Sequence, residues 1–419
     1  MLRPFKMFLR SLGRYKGLPK EIYVLFVARI VNNLGAFVHP LLTMILTVKL
    51  GFAENEAGTF ITILMATQMP VLLIGGKLAD KFGRRRLIVV FQFLGALTYI
   101  ICGLVPISGI TPYLIMAASY CFALTYPALE AVTMDLTSGE QRKEAYALLY
   151  MGLNLGFVFG PMIGGLMMDS NLPLLFIGDG ISTIVSTVLI IVFIPETLPQ
   201  KGENGRPELE KYVDESLLSV LWKRKIIVVF ALIMMVIQFV YSQWCFALPL
   251  QMETLFGDTS SYGFIASFNG LLVIVLTPIV TPFIRRTRAL TGTLAGALMY
   301  AAAFAMLIII KDLYLFYVSM FIFTLGEVIM TIDAGVFVAG MLPSSHRGRL
   351  DSIYNAITNT GRVMSPLVIG WVITASSLSI AWVVITGTAL LGCMALTALI
   401  RSGPGKKQID KISAKSAAE

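Results

Sequence analysis

Apolar residues run through this chain in long unbroken blocks, separated by short polar stretches. Each block holds about 20 residues, the length a helix needs to cross a bilayer core of roughly 30 Å. Strands facing lipid would alternate apolar and polar positions, and these blocks do not. Lipid offers no partner to open backbone, so closed helices remain. The pattern predicts twelve spans, at 22–48, 57–76, 87–106, 112–134, 144–168, 172–195, 226–250, 260–284, 289–310, 313–341, 350–375 and 379–400. The longest break, 196–225, is rich in charge, glycine and proline. It reads as a polar linker with a short amphipathic piece.

An internal repeat divides these spans into halves. At a shift of 205 residues Gly58 pairs with Gly263, Arg142 with Arg347, Asn154 with Asn359, Gly156 with Gly361, Pro161 with Pro366 and Gly165 with Gly370. At a shift of 209, Asn33 meets Ser242 and Pro40 meets Pro249. The expected class is therefore an all-α membrane protein with twelve transmembrane helices in two pseudo-symmetric six-helix bundles. The bundles are placed at 1–195 and 226–401, joined by the linker 196–225 and followed by a basic tail at 402–419. Parallel repeats with a site between them are a common plan for secondary transporters.

Composition agrees with burial in lipid: 57% of residues are hydrophobic and 14% charged, against roughly 25% charged in soluble domains. A net charge of +9 could suggest nucleic acid, but its placement does not. The lysines and arginines gather in the N-terminal tail, 77–86, 142–143, 201–225, 285–288, 347–349 and the tail from 401. Lys49 and Lys311 alone lie on the opposite face, and Arg29 and Arg362 lie inside spans. By the positive-inside rule both termini are expected in the cytoplasm of a cell membrane, with the lipid surface as the charge's partner. Cys102, Cys121, Cys245 and Cys393 fall in apolar runs without metal spacing and read as packing residues; no metal is expected. Residues 1–20 are basic, and the first apolar segment is too long and too polar for a signal-peptide core. No G-x-x-x-x-G-K-[ST] loop occurs, so ATP is not the direct energy source. With two histidines, His39 and His346, and no hydrolase motif, neither an enzyme nor a cofactor is expected.

Between spans two and three stands Gly76-Lys77-Leu78-Ala79-Asp80-Lys81-Phe82-Gly83-Arg84-Arg85-Arg86. The glycines permit close approach and positive φ, and Asp80 can neutralise an arginine or a helix N-terminus. This stretch resembles the signature loop of the major facilitator superfamily, G-x-L-a-D-r-x-G-r-[RK]. The equivalent Arg285-Arg286-Thr287-Arg288 has lost the pattern. Span five reads Gly156-Phe157-Val158-Phe159-Gly160-Pro161-Met162-Ile163-Gly164-Gly165, similar to the G-x-x-x-G-P-x-x-G-G motif of that family's drug:proton antiporter branch. Gly156, Gly160 and Gly164 form one smooth stripe for close helix approach, and Pro161 bends the helix. Asp135-Leu136-Thr137 followed by Arg142 resembles the family's D-L-x…R helix end. The resemblance implies a gate network of Asp135, Asp80, Arg84 and Arg142. The branch's arginine in span four is missing, since no Arg or Lys lies between Tyr113 and Gln141.

Charges inside spans cost roughly 2.5–3.5 kcal/mol on insertion scales and mark cavities or pairs. Arg29 on span one and Glu130 on span four reach similar depth and can pair. Glu327 on span ten and Arg362 on span eleven form a second candidate pair. Asp333 lies about 120° round the helix from Glu327, so the two acids serve different faces. Glu130 and Glu327 are the leading candidates for protonation, with static ion pairs as the alternative. Asp179, in the outer part of span six, ranks lower, and His39 reads first as packing or pore lining. Polar and aromatic side chains suited to an amphiphilic molecule are Asn32, Asn33, Tyr126, Gln238, Tyr241, Phe246, Tyr354 and Asn355. The leading expectation is a monomeric exporter of hydrophobic or amphiphilic small molecules in exchange for protons. A metabolite symporter or facilitator, a lipid translocator and a non-transporting receptor stay open as alternatives.

Overall fold

The computed structural model describes residues 17–198, 225–284, 288–341 and 347–402. The amphipathic piece of the linker, the loop 285–287, His346 and the basic tail lie outside the described residues. The spans are Lys20–Leu34 continued by Leu42–Met44 and a π-helical turn Ile45–Lys49 (one), Glu54–Phe82 (two), Arg84–Leu104 (three), Thr111–Asp135 (four), Gly139–Ser170 (five) and Leu172–Phe193 (six). They continue as Lys225–Tyr241 with Gln243–Phe256 (seven), Ser260–Ile284 (eight), Ala289–Leu307 (nine), Leu313–Met341 (ten), Arg347–Ala375 (eleven) and Leu378–Arg401 (twelve). The side chains most exposed on these helices include Leu73, Leu104 and Leu391, the surface that hydrocarbon rather than water accepts.

Spans one, two and seven depart from the sequence reading; span seven runs to Phe256 rather than 250, with a one-residue break at Ser242. Span one is not a continuous helix over 22–48. Its regular helix stops at Leu34, turns carry the chain through Gly35–Leu41, and helix resumes at Leu42. Pro40 has no N–H and disfavours helix at His39, so the interruption is local chemistry that hydropathy does not register. Span two runs six residues past its predicted end at 76. Nothing between Lys77 and Phe82 breaks a helix, and the chain reverses only at Gly83, where φ is 99°. The signature stretch is thus mostly helix with a one-residue turn.

Packing divides the chain into two compact units. The first joins spans one to six with Leu248–Ile274; the second holds the remainder from Gly202 on. The repeat assigns 248–274 to the second bundle instead. Its grouping with the first follows from span five. A Cβ on Gly165 would lie 3.0 Å from Ser260 Cα and 3.4 Å from Gly263 Cα, so the two helices cross at glycine. Asp169 caps the start of span eight, accepting from Thr259 N at 3.1 Å, Thr259 Oγ1 at 2.6 Å and Ser260 N at 3.2 Å. The Met162 N–H donates to Ser267 Oγ at 3.0 Å.

The rest of the glycine stripe faces span one. A Cβ on Gly156 would stand 2.8 Å from Ile30 O and Leu34 N, one on Gly160 2.7 Å from Asn33 O, and one on Gly164 3.1 Å from Phe37 Cβ. In the second unit Gly361 meets Met235 O and Phe239 N in the same way. Met235 and Phe239 lie 205 residues after Ile30 and Leu34, so the repeat holds for the contact as well as for the sequence.

Candidate functional site

Arg29, Asn32 and Asn33 stand on one face of span one because they are three and four residues apart. Arg29 Nη2 donates to Glu130 Oε1 of span four at 2.9 Å, with side-chain exposures of 21% and 30%. Asn32 Nδ2 donates to Thr183 Oγ1 of span six at 3.1 Å, and Asn33 Nδ2 to the Arg29 carbonyl at 2.9 Å. Arg29, Asn32, Asn33 and Thr183 border a cavity of about 230 Å³. Arg29, Asn32, Asn33, Ala36 and His39 line it from span one, Gln92 and Tyr99 from span three, and Phe122, Thr125, Tyr126 and Leu129 from span four. Leu153, Asp179 and Thr183 complete the wall. Ligand pockets typically hold roughly 300–1,000 Å³, so this one suits a compact organic group. Amides, hydroxyls and aromatic faces alternate around it.

Asp179 has a larger part than its position in span six suggested. It is 5% exposed, and its Oδ2 accepts the Phe37 N–H at 3.0 Å and the Val38 N–H at 3.1 Å. Those donors belong to the interrupted stretch of span one, where no helix satisfies them. Gly178 and Gly180 flank it and let Phe37 and Ile100 pack closely. The signal available in sequence was this Gly-Asp-Gly triplet opposite Gly35 and Pro40.

In the second unit Glu327 and Arg362 meet on a third residue. The Tyr241 hydroxyl donates to Glu327 Oε1 at 2.8 Å, and the Arg362 guanidinium lies 5.1 Å from the Tyr241 ring centroid. Gln238, one turn earlier on span seven, has a buried Oε1 without a hydrogen-bond partner among the described residues. Asp333 faces elsewhere: it is 3% exposed, lies against Gly292 of span nine, and its Oδ2 has no hydrogen-bond partner among the described residues. Two expected substrate residues stand in the core or against another ring. Phe246 is 1% exposed, and Tyr354 stacks on Phe230 at 6.1 Å with planes 8° apart. Asn355, on the same turn, is exposed.

At the end of span two, Gly83 turns the chain so that span three begins at Arg84. The Arg84 guanidinium pairs with Asp135 and donates to the Ala131 carbonyl at 3.3 Å. Arg142 Nη2 donates to the carbonyls of Met134 at 3.0 Å and Thr137 at 2.9 Å, closing the end of span four. Asp80 is exposed and its charge acts on the Arg84 guanidinium, while a Cβ on Gly76 would make only an ordinary contact with Pro127 Cβ at 3.8 Å. Sequence reading missed Glu196. Its Oε1 accepts the N–H of Arg84 at 2.8 Å, of Thr197 at 3.1 Å and of Leu198 at 3.2 Å. The φ of 99° reserves Gly83 for glycine, and a Cβ there would also displace that carboxylate. Partial burial pushes the Glu196 carboxyl up, but the backbone donors of Arg84, Leu198, Arg85 and Arg86 outweigh it and hold it below the ordinary glutamate range. A carboxylate at a helix N-terminus is favoured by the unpaired N–H groups and the helix dipole.

A depressed folded-state pKa stabilises above the unfolded pKa, and that stabilisation is lost as pH falls through the folded value. Glu196→Gln is therefore expected to lower the thermal unfolding temperature at neutral pH and to match the parent in acid. A melting series in detergent across pH checks this.

The profile of the Major Facilitator Superfamily matches residues 25–333 and 245–418. A Na(+), Li(+), K(+)/H(+) antiporter of Planococcus maritimus is 23% identical over 345 residues, covering 75% of this chain and 81% of its own. A class D tetracycline resistance protein of Salmonella ordonez is 24% identical over 392 residues, covering 91% and 97%. Among solved structures, the nucleoside transporter NupG superimposes with a TM-score of 0.75 at 14% identity, over 92% of this chain and 100% of that one. The peptide transporter POT in complex with sulfate does so at 0.73 and 17%, over 95% and 96%. The chain belongs to the Major Facilitator Superfamily.

Proposed function

We propose that this transporter exports hydrophobic or amphiphilic small molecules in exchange for protons. In this reading the two halves, 1–195 and 226–401, rock to expose the site alternately, with both termini in the cytoplasm. The observation that carries it is the Arg29–Glu130 pair, whose arginine stands on the wall of a cavity lined also by aromatic rings, amides, hydroxyls, His39 and Asp179. An ionisable pair inside a span is costly unless it is used or well compensated. Its partial exposure leaves Glu130 open to protons, while the rings of Tyr99, Phe122 and Tyr126 suit an apolar body. The antiporter and tetracycline resistance relatives support the same direction of transport.

Everted membrane vesicles containing the protein provide the test, with ethidium and tetracycline as probes and a pH-sensitive dye as proton reporter. Imposing a gradient is expected to drive saturable probe accumulation, and adding probe to release protons from the lumen. Accumulation that persists after the gradient is collapsed, or no saturable movement of either probe, would overturn the reading. Probe movement in the same direction as protons would point instead to symport.

A further inference from the structure

The interruption in span one leaves two backbone donors, Phe37 N and Val38 N, at membrane depth without helical partners, although the Phe37 N–H is shared with the Gly35 carbonyl at 2.9 Å. Irregular backbone survives there where it is buried in protein or lines a cavity, and its polar groups must still be satisfied. One carboxylate oxygen of Asp179 takes both bonds. A neutral amide or hydroxyl oxygen could accept the same pair. Burying an ionisable group instead carries a desolvation penalty, and no arginine or lysine pairs with Asp179 among the described residues. The residue also lines the 230 Å³ cavity, which gives protons a route to it. Tyr99 faces it from span three, with Cys102 beside that tyrosine; Arg29 and His39 share its cavity from span one, and Tyr126 does so from span four.

We infer that Asp179 is a proton-binding site of the transport cycle, whose protonation loosens the interrupted segment 35–41 of span one. The inference rests on the proton-coupled reading above and adds a site to it. Charge-assisted hydrogen bonds are roughly twice as strong as neutral ones. Neutralising the carboxylate weakens both bonds at once and frees a stretch that joins the helix bearing Arg29, Asn32 and Asn33 to the far half of span one. Proton binding at the carboxylate is thereby tied to the backbone conformation beside the cavity.

Hydrogen exchange of the purified transporter in nanodiscs tests this without knowledge of the substrate. The readout is the protection factor of peptides covering 35–41, which corrects for the intrinsic pH dependence of exchange. In the parent, protection is expected to fall about tenfold from alkaline to acid pH as two charge-assisted bonds become neutral ones. Asp179→Asn, which keeps an acceptor oxygen but cannot titrate, is expected to give a flat profile. Asp179→Ala should lose protection at every pH, showing that the readout reports this contact. His39→Gln should retain the parent's profile. A flat parent profile, an Asp179→Asn profile that still follows pH, or a His39→Gln profile that no longer does would each overturn the inference. A pH-dependent profile that Asp179→Asn abolishes, in a protein whose vesicles show no proton-driven movement, would sustain this site and sink the antiport reading. Proton-driven movement with a flat profile would do the reverse.

Discussion

Gly156→Ala will destabilise the transporter and strip most of its activity, whereas Gly164→Ala will leave both close to the parent. The two glycines sit on one stripe and differ in what they touch. A Cβ on Gly156 would lie 2.6 Å from Asn33 Cβ and 2.8 Å from Ile30 O and Leu34 N. Two of those atoms are backbone, so relief requires moving span one. Overpacking of this kind costs roughly 1–3 kcal/mol. Moving span one also displaces Arg29, Asn32 and Asn33 from Glu130 and Thr183. On Gly164 the nearest atoms are Leu41 Cδ1 at 3.0 Å, Phe37 Cβ at 3.1 Å and Phe37 Cδ1 at 3.3 Å. Those are side-chain atoms, and a shift of a few tenths of an ångström relieves them. Gly361→Ala should resemble Gly156→Ala, because its neighbours on span seven are again backbone. Thermal melts in detergent and vesicle transport measure both effects. If Gly156→Ala equalled Gly164→Ala in both assays, the stripe would be a passive smooth surface rather than a close backbone crossing.

The repeat shows how far sequence carries. Matches such as Gly156 with Gly361 predicted two similar bundles, and the neighbours of those glycines keep the same shift of 205 residues. The spans were legible because a lipid-facing helix must be apolar along its whole length. The Arg29–Glu130 contact was legible because opposed helices bring these positions to equal depth. What stayed hidden depends on hydrogen bonds between segments far apart in the chain. Glu196 and Asp169 look like ordinary polar residues near span ends, yet each caps a helix it does not belong to. Asp179 looked peripheral because its partners, Phe37 and Val38, become available only once span one is interrupted. The surroundings of Phe246 and Tyr354 stayed hidden for a different reason. Helical spacing gives a side chain a face but not what fills the space opposite, and here other rings and core residues fill it.

Glu327→Gln will reduce proton-driven transport to background while leaving exchange of substrate down its own gradient. The carboxylate stands half-buried on span ten with the Tyr241 hydroxyl at 2.8 Å, and Arg362 lies over the same ring. Glutamine keeps the size and still accepts from Tyr241, so packing around Tyr300 and Phe323 should survive. What it removes is the charge and the ability to take a proton. A static ion pair that only fixes helix packing predicts the opposite ranking: lost stability, with coupling intact in the protein that folds. Tyr241→Phe separates the hydroxyl from the ring. It keeps the face beneath Arg362 and removes a hydrogen bond to a charged group, worth roughly 1.5–3 kcal/mol, so transport should weaken without becoming uncoupled. Glu130→Gln supplies the comparison in the first unit, where it takes the charge from beside Arg29 and leaves the cavity wall in place. Vesicle assays with an imposed gradient, paired with counterflow of labelled probe, separate coupling from movement. If Glu327→Gln and Glu130→Gln both keep full gradient-driven transport, neither acid carries the coupling proton. The buried carboxylates of Asp179 and Asp333 would then be the next candidates.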